Sequence, residues 1–542
     1  MARKYTEEQL LSLDKEMLVT LFLGMQDQLE QVNENLRLLM EQVAVMNQRA
    51  FGRSSEKNLV AEDYSQAQLI EINGEMVVVF NEAESECDDL FNEPKEEVIL
   101  ESNEKKKKSS GKREVDLKGL PVVVETHELS DSQLKTVFGD MKYKRLPDVV
   151  YKRLVYKPAT QTVVEHHVAV YAGADNQTMV KADRPKDLIR NSIVTPSLAA
   201  AIFNGKYVNA IPLYRMEQDF KRNGLNLSRQ TMANWTIKLA EEYLSLFYDE
   251  LHKELYKTHV LHADETPVFV SKDGRKAGSK SYMWVYRTGG YDNNKQVVLY
   301  DYQRTRKTDH PREFLKNFNG VLVTDGYQVY HTLEKEKDDF TVAGCWAHAR
   351  RKFADIVKAL KSSDFKDDFL LSQEVIKRIG DIYSLDNKLK NLSPEERQKS
   401  RQISVKPLVE ALFAWIKEHR NDVPQKSNCG KAFTYCINQE KYLKEFLNDG
   451  EIPLDNNSAE RAIRGFCIGK KNWVLIDTIN GAKASAIIYS IAETAKANHL
   501  RTYHYFEYLL TEILEHMDDK NTDFLKDLLP WSPTLPDNLR FE

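Results

Sequence analysis

His259-Val260-Leu261-His262-Ala263-Asp264-Glu265-Thr266-Pro267 is an apolar run that ends on an acid. A strand that is apolar on both faces belongs in the middle of a sheet. An acid at the end of such a strand sits on the rim, where open α/β sheets bind ligands. Val321-Leu322-Val323-Thr324-Asp325-Gly326-Tyr327 repeats the pattern, and Asp325 takes the terminal place. Between the two runs, Tyr282 to Arg287 and Val297 to Tyr302 read as strands of an antiparallel meander laid beside the first. A third acid belongs to a helix. Asp455-Asn456-Asn457-Ser458 is a capping sequence and Ala459 to Phe466 continues helically, so Glu460 falls in the first turn. Each acid alone has an ordinary reading as a surface or capping residue, and Glu460 also complements the helix dipole. Two at strand ends and one at a capped helix start make a candidate site.

Gathered carboxylates repel, and one takes up a proton unless a cation neutralises them. Magnesium prefers carboxylate oxygen and keeps several waters. Two such ions ~3.5–4 Å apart serve in-line phosphoryl displacement. The expected ligands are Asp264, Asp325 and Glu460, holding two magnesium or manganese ions; with no cysteine among them, zinc is not expected. Glu265 points to the opposite strand face and is not counted. Arg350, Arg351 and Lys352 follow an expected strand, Phe340 to Gly344, while Arg461, Arg464, Lys470 and Lys471 flank Glu460. Both groups are candidates for holding DNA phosphates. Trp346 and His348 are candidates for stacking on a base or positioning a strand, with core packing the competing reading for Trp346.

Outward from this centre the chain changes character. Leu18, Phe22, Met25, Leu29, Val32, Leu36, Leu39, Val43 and Met46 alternate spacings of four and three, the seam of a coiled coil. The competing reading is one amphipathic helix docked on its own chain. A charged linker follows, with a short hairpin expected around Asn73-Gly74 and a basic run at Lys105-Lys106-Lys107-Lys108. Val149 to Tyr156 and Thr162 to Tyr171 read as a long hairpin, on which His166 and His167 take opposite faces. Two helical stretches around Asn223-Gly224, the second opening at Ser228, match a helix-turn-helix. There Arg222, Arg229, Gln230 and Asn234 suit phosphate and base-edge contacts. Many helical hairpins never meet DNA, so this motif alone decides nothing.

Bulk composition narrows the class. At 542 residues three or more domains are expected. The net charge of −5 gives no global case for nucleic-acid binding, so DNA contact must come from local basic surfaces. Five cysteines form no CxxC pair, which argues against a disulfide framework or a four-ligand zinc site. No apolar run approaches the ~18 residues of a membrane span, and no signal-peptide core is present. A cytoplasmic protein is expected.

Several strings carry a resemblance. They are His262-Ala263-Asp264-Glu265-Thr266-Pro267, Gly344-Cys345-Trp346-Ala347-His348-Ala349-Arg350-Arg351-Lys352-Phe353 and Leu454-Asp455-Asn456-Asn457-Ser458-Ala459-Glu460-Arg461. Phe51-Gly52-Arg53-Ser54-Ser55-Glu56-Lys57, and the stretch from Ala484 to Asn498, join them. Together they resemble the insertion-sequence sixty-six transposases, the TnpC-type, DDE-class enzymes of bacterial mobile elements. The likeness covers nearly the whole chain in order.

The resemblance implies a ribonuclease-H-like catalytic fold. Asp264 would lie on its first strand, Asp325 at the end of its fourth, and Glu460 on a late helix. It implies an enzyme that binds the terminal inverted repeats of its element in double-stranded DNA, cuts there, and joins the freed 3′ hydroxyl to target DNA. It also implies a nucleoid-associated bacterial protein that self-associates through the coiled coil, with accessory proteins of the same element as further partners. Relatives carry a cysteine-based zinc motif in the region matching 125–172; this chain has no cysteine between Cys87 and Cys345, so zinc is not carried over.

The expected architecture is multidomain α+β. It runs from a coiled-coil helix (1–50) through a charged linker (51–115) and a small β-rich domain (116–185) to a helix-turn-helix region (186–250). An α/β ribonuclease-H-like catalytic domain (251–478), with a helical insertion at about 355–450, precedes a C-terminal helical region (479–542). Two rival functions remain: a nuclease that cuts without joining, and a DNA-binding protein with a decayed site.

Overall fold

The computed structural model describes residues 14–51, 69–72, 75–78, 132, 135–136, 161–172, 179–276, 278–291, 295–360, 366–519 and 521–541. Contacts divide the chain into two units, residues 1–90 with 187–541, and residues 91–186.

In the larger unit, α1 (Lys15–Phe51) is one helix of 37 residues. Its seam is exposed from Leu18 to Met46, whereas Val45 is buried and Ala44 packs on the main body. The helix thus docks by one face and leaves the heptad face uncovered. Leu69–Ile72 pairs antiparallel with Glu75–Val78, and Asn73-Gly74 lies outside the described residues. Further along, α2 (Leu213–Arg222) and α3 (Arg229–Leu239) flank Gly224, whose φ of 89° is one that glycine adopts freely. Ser228 caps α3 by accepting a hydrogen bond from the Thr231 N–H. Arg222, Arg229, Gln230 and Asn234 are all exposed.

A mixed sheet forms the centre. Its strands are β1 (Val260–Lys272), β2 (Lys280–Thr288), β3 (Val298–Gln303), β4 (Gly320–Thr324) and β5 (Phe340–Gly344), in the order β3-β2-β1-β4-β5. β1–β2 and β2–β3 are antiparallel, β1–β4 and β4–β5 parallel. Alternation along the strands sends Leu261, Ala263, Leu322 and Val342 into one apolar core, and Val260, Val321, Val323 and Ala343 into another. Both faces are covered, which is why these segments read as continuous apolar runs.

The insertion between β5 and Glu460 is helical: α4 (Trp346–Ala359), α5 (Lys366–Asn387), α6 (Lys406–Glu418) and α7 (Asn428–Lys444). They pack against the second core. α8 (Asn457–Trp473) carries Glu460, and α9 (Ile479–Ala497) and α10 (Thr502–Glu515) close the first core with the helices from 196 to 255. Residues on both sides of positions 250 and 478 therefore share one core.

Two strand expectations need correction. Asp264 does not end its strand: β1 runs eight residues further, to Lys272, because antiparallel pairing with β2 continues to Phe269. On the other edge β4 pairs only with Val260 to His262, and a short strand, β6 (Ile476–Thr478), joins β1 at Val270. Between those pairings the edge of β1 is open, which accommodates Pro267, a residue with no N–H for a ladder. In the second unit, 162–169 have no regular structure; Val170–Ala172 pairs forward with Met179–Lys181. The other arm, 149–156, lies outside the described residues.

Candidate active site

β1 and β4 run parallel with Val260 opposite Val321 and His262 opposite Val323. The pairing ends there; two residues further along each chain stand Asp264 and Asp325, near enough that the charge of Asp325 acts on Asp264, where β4 gives way to a turn. Gly326 makes the turn at φ 89°. A Cβ there would sit 3.1 Å from both the Tyr435 hydroxyl and Gln439 Oε1. Asp325 is held from two directions: its Oδ1 accepts the Tyr327 N–H at 3.0 Å, and its carbonyl accepts the Tyr435 hydroxyl at 2.9 Å. Asp264 Oδ1 accepts the Glu265 N–H at 2.8 Å. Burial, then the neighbouring charges of Glu265 and Asp325 and more weakly that of Glu460, push the Asp264 carboxyl up to about 8.

Glu460 reaches this edge from the first turn of α8. Its Oε2 accepts from the Arg351 guanidinium at 2.9 Å, and its Oε1 lies 3.3 Å from His348 Nδ1. Both Oε1 and Nδ1 are buried with no hydrogen-bond partner. Among the described residues, the group of potential metal ligands whose atoms all lie within 4.8 Å of one another is Cys345, His348 and Glu460. The three acids are not drawn together that closely. The raised Asp264 carboxyl and the orphaned Glu460 and His348 atoms are what a divalent cation would relieve, so these residues fit one.

The expected cap at Asn456 takes another form. Its side chain makes no capping bond to α8; Asp455 Oδ1 accepts the Asn457 N–H instead. Asn456 faces the sheet, where its Oδ1 meets His262 Nδ1 at 2.8 Å and its Nδ2 donates to the Ala263 carbonyl at 2.8 Å. Its backbone N–H reaches Cys345 Sγ at 3.2 Å. Burial holds the fully enclosed His262 down at about 3, so it stays neutral. This fully buried asparagine fixes α8 to β1 two residues before Asp264. Asn456→Ala leaves an imidazole and a carbonyl unpaired. A loss of about 2–4 kcal/mol is expected by chemical denaturation.

Glu265, discounted on strand alternation, does face away from the open edge yet belongs to the electrostatics. It is 3% exposed and paired with Arg306. Burial pushes it up to about 7 against the pull of Arg306. The Arg306 guanidinium lies 3.7 Å from the centroid of Tyr327, the residue whose N–H orients Asp325. No local signal in the sequence marks Arg306; the alternation that hid Glu265 also says nothing of what it meets.

The basic candidates separate. Arg351 and His348 contact Glu460, and Lys352 lies 4.3 Å from the Tyr435 ring centroid. Lys470 is tied to the Pro267 carbonyl at 2.8 Å, on the open edge of β1. Arg461, Arg464 and Lys471 are exposed along α8, and Arg350 is half-buried on α4. Trp346 is core: it is 1% exposed and its indole donates to the Leu443 carbonyl.

Comparison with known families now bears on the chain. The family model described as Transposase IS66 family matches residues 191–484, which holds all three acids. The chain belongs to the IS66 transposase family. The IS66 C-terminal element matches 490–531, and a model described as Transposase C of IS166 homeodomain matches 38–124. Similar proteins to this IS66 family member come from Sinorhizobium fredii, each described as uncharacterized. Protein y4jD is 29% identical over 364 residues, 65% of this chain and 69% of its own length. Protein y4qI is 28% identical over 409 residues, 73% of this chain and 72% of its own.

Proposed function

We propose that this IS66 family member is a DDE-type transposase that binds the ends of its element and cuts and joins DNA with Asp264, Asp325 and Glu460. The observation that carries the reading is the charge interaction of Asp264 with Asp325 and Glu460 just past the paired part of β1 and β4, which supports the three acids as one cluster. The strand order β3-β2-β1-β4-β5, antiparallel then parallel, supports a ribonuclease-H-like catalytic domain. When bound, two magnesium or manganese ions would supply charge neutralisation and Lewis acidity for phosphoryl transfer.

The chain's own groups have definable tasks. Arg351 fixes the Glu460 carboxylate, the Tyr327 N–H fixes Asp325, and Asn456 fixes the distance between helix and strand. Exposed Arg461, Arg464 and Lys471 offer charge to DNA phosphates on α8, and α2 with α3 offer Arg222, Arg229, Gln230 and Asn234 at a second surface. Cutting and joining by such a site rest on positioning and electrostatics rather than on a covalent enzyme intermediate.

The test is a magnesium-dependent cleavage and strand-transfer assay on DNA bearing the element's own ends. Joined products from wild type, absent from Asp325→Ala and Glu460→Ala, are expected. Cutting without joining would make the chain a nuclease. Neither reaction, with DNA binding intact and accessory proteins supplied, would make it a binding protein with a decayed site. Among the described residues no helix is long and apolar enough to cross a membrane.

The exposed seam of α1 supports self-association, because a helix of its length with one face docked and a heptad face uncovered fits a second copy. Leu29→Glu with Leu36→Glu is expected to reduce the mass measured by light scattering to that of one chain. An unchanged mass would remove α1 from the assembly.

A further inference from the structure

Two ligand atoms at the candidate centre face each other without a bond. His348 Nδ1 and Glu460 Oε1 are buried, 3.3 Å apart, and neither has a hydrogen-bond partner. Leaving two such atoms unsatisfied is costly, and native proteins rarely do so without a bound group to explain it. The Glu460 carboxylate is not free to turn elsewhere, since Arg351 holds Oε2 at 2.9 Å.

His348 has little freedom either. It lies in the first turn of α4, three residues after Cys345, which caps that helix. A ring nitrogen and a carboxylate oxygen that are both buried, both without a hydrogen bond and 3.3 Å apart are spaced as two ligands of one cation would be.

We propose that His348 is a nitrogen ligand of the metal centre, sharing with Glu460 Oε1 the ion that this glutamate holds. This rests on the reading of the three acids as a metal centre and adds an imidazole to it. Cys345 is within 4.8 Å of both atoms but is not a third ligand, because its Sγ is fully buried and accepts the Asn456 N–H. One nitrogen with carboxylate oxygens suits manganese better than magnesium, since imidazole favours the softer transition ions while magnesium prefers oxygen alone. His348 therefore sets the ion preference of the site, and contact with DNA need not be its task.

The experiment uses the full chain loaded with manganese, whose electron spin reports nitrogen nuclei bound to it. Pulsed electron paramagnetic resonance on the wild type is expected to show modulation from one directly bound ¹⁴N. Growth with ¹⁵N-histidine should replace that signal by the ¹⁵N one, a control that needs no substitution. His348→Gln is expected to abolish the nitrogen signal and to weaken manganese binding by about 10–100-fold, while magnesium binding changes far less.

Manganese bound without nitrogen modulation, or modulation that survives in His348→Gln, would overturn the proposal. Asp264→Ala and Glu460→Ala separate it from the reading beneath it. If they release the ion while wild type shows no nitrogen coupling, the carboxylate centre stands and His348 is excluded. If they leave manganese binding unchanged, the metal centre falls and the proposal falls with it.

Discussion

Asp264→Asn is expected to yield a well-folded protein whose cleavage of element ends falls by ~10³-fold or more, because one fixed electrostatic group at a reacting centre is itself worth about 10²–10³. The variant should also be the more stable protein in metal-free buffer at high pH. The Asp264 carboxyl, ordinarily at 3.8, is pushed up to about 8 by burial and by Glu265, Asp325 and Glu460. A raised carboxyl binds more protons folded than unfolded. Its contribution to stability is therefore complete below about pH 4 and is lost as the pH climbs through about 8. Asparagine keeps the neutral shape and has no such loss. Thermal melts in chelator from pH 5 to 9 should show wild type falling with pH more steeply than the variant. The variant keeps a residual slope from Glu265, which is itself pushed up to about 7. Equal slopes would show that Asp264 is not held in the repulsive cluster described above.

Arg401→Met is expected to cost about 3–5 kcal/mol, the usual consequence of stranding one partner of a buried ion pair. Arg401 is 0% exposed. Its guanidinium donates to Asp386 at 2.7 Å, to the carbonyls of Phe446, Asp449 and Ile452, and to the Tyr291 hydroxyl. Methionine leaves Asp386, 3% exposed, as a charge without its partner, and takes the Arg401 donor from three carbonyls. The double variant Arg401→Met with Asp386→Leu should recover a large part of the loss, since an apolar pair is tolerated where a lone charge is not. Urea unfolding of the four proteins measures the coupling; additive losses would mean that the pair is not the source. Activity should fall in Arg401→Met as well, because Phe446 to Ile452 lead directly to the segment that places Asn456 and Glu460.

Much of this arrangement is legible in the sequence where the signal is local. Apolar runs on both sides of each strand follow from the two cores that cover the sheet, and Asp325-Gly326 is a strand end followed by a turn. Glu460 in the first helical turn follows from the residues that precede it. What escaped depends on residues far apart in the chain. Asp455-Asn456-Asn457-Ser458 has the composition of a cap, but the partner that turns Asn456 away from its helix is His262, 194 residues earlier. β1 runs past Asp264 because β2 continues to pair with it, and no periodicity marks that point. Glu265 alternates away from Asp264 correctly, yet alternation is silent about charge that acts through a thin sheet. The sequence offers His348 for stacking on a base or positioning a strand, and its contact with Glu460, across a helical insertion, leaves no local signal.

That insertion also sets when the centre can exist. Asp264 leaves the ribosome early, but Glu460 follows 196 residues later (460 − 264). At ~5–20 residues per second that interval is about 10–40 s. Throughout it the nascent chain has at most two of its three acids, an open strand edge, and neither β6 nor α9 to complete the sheet and its core. On the proposed reading, competence to cut DNA arrives only once Glu460 has been made, and a chain released before it lacks one of the three acids.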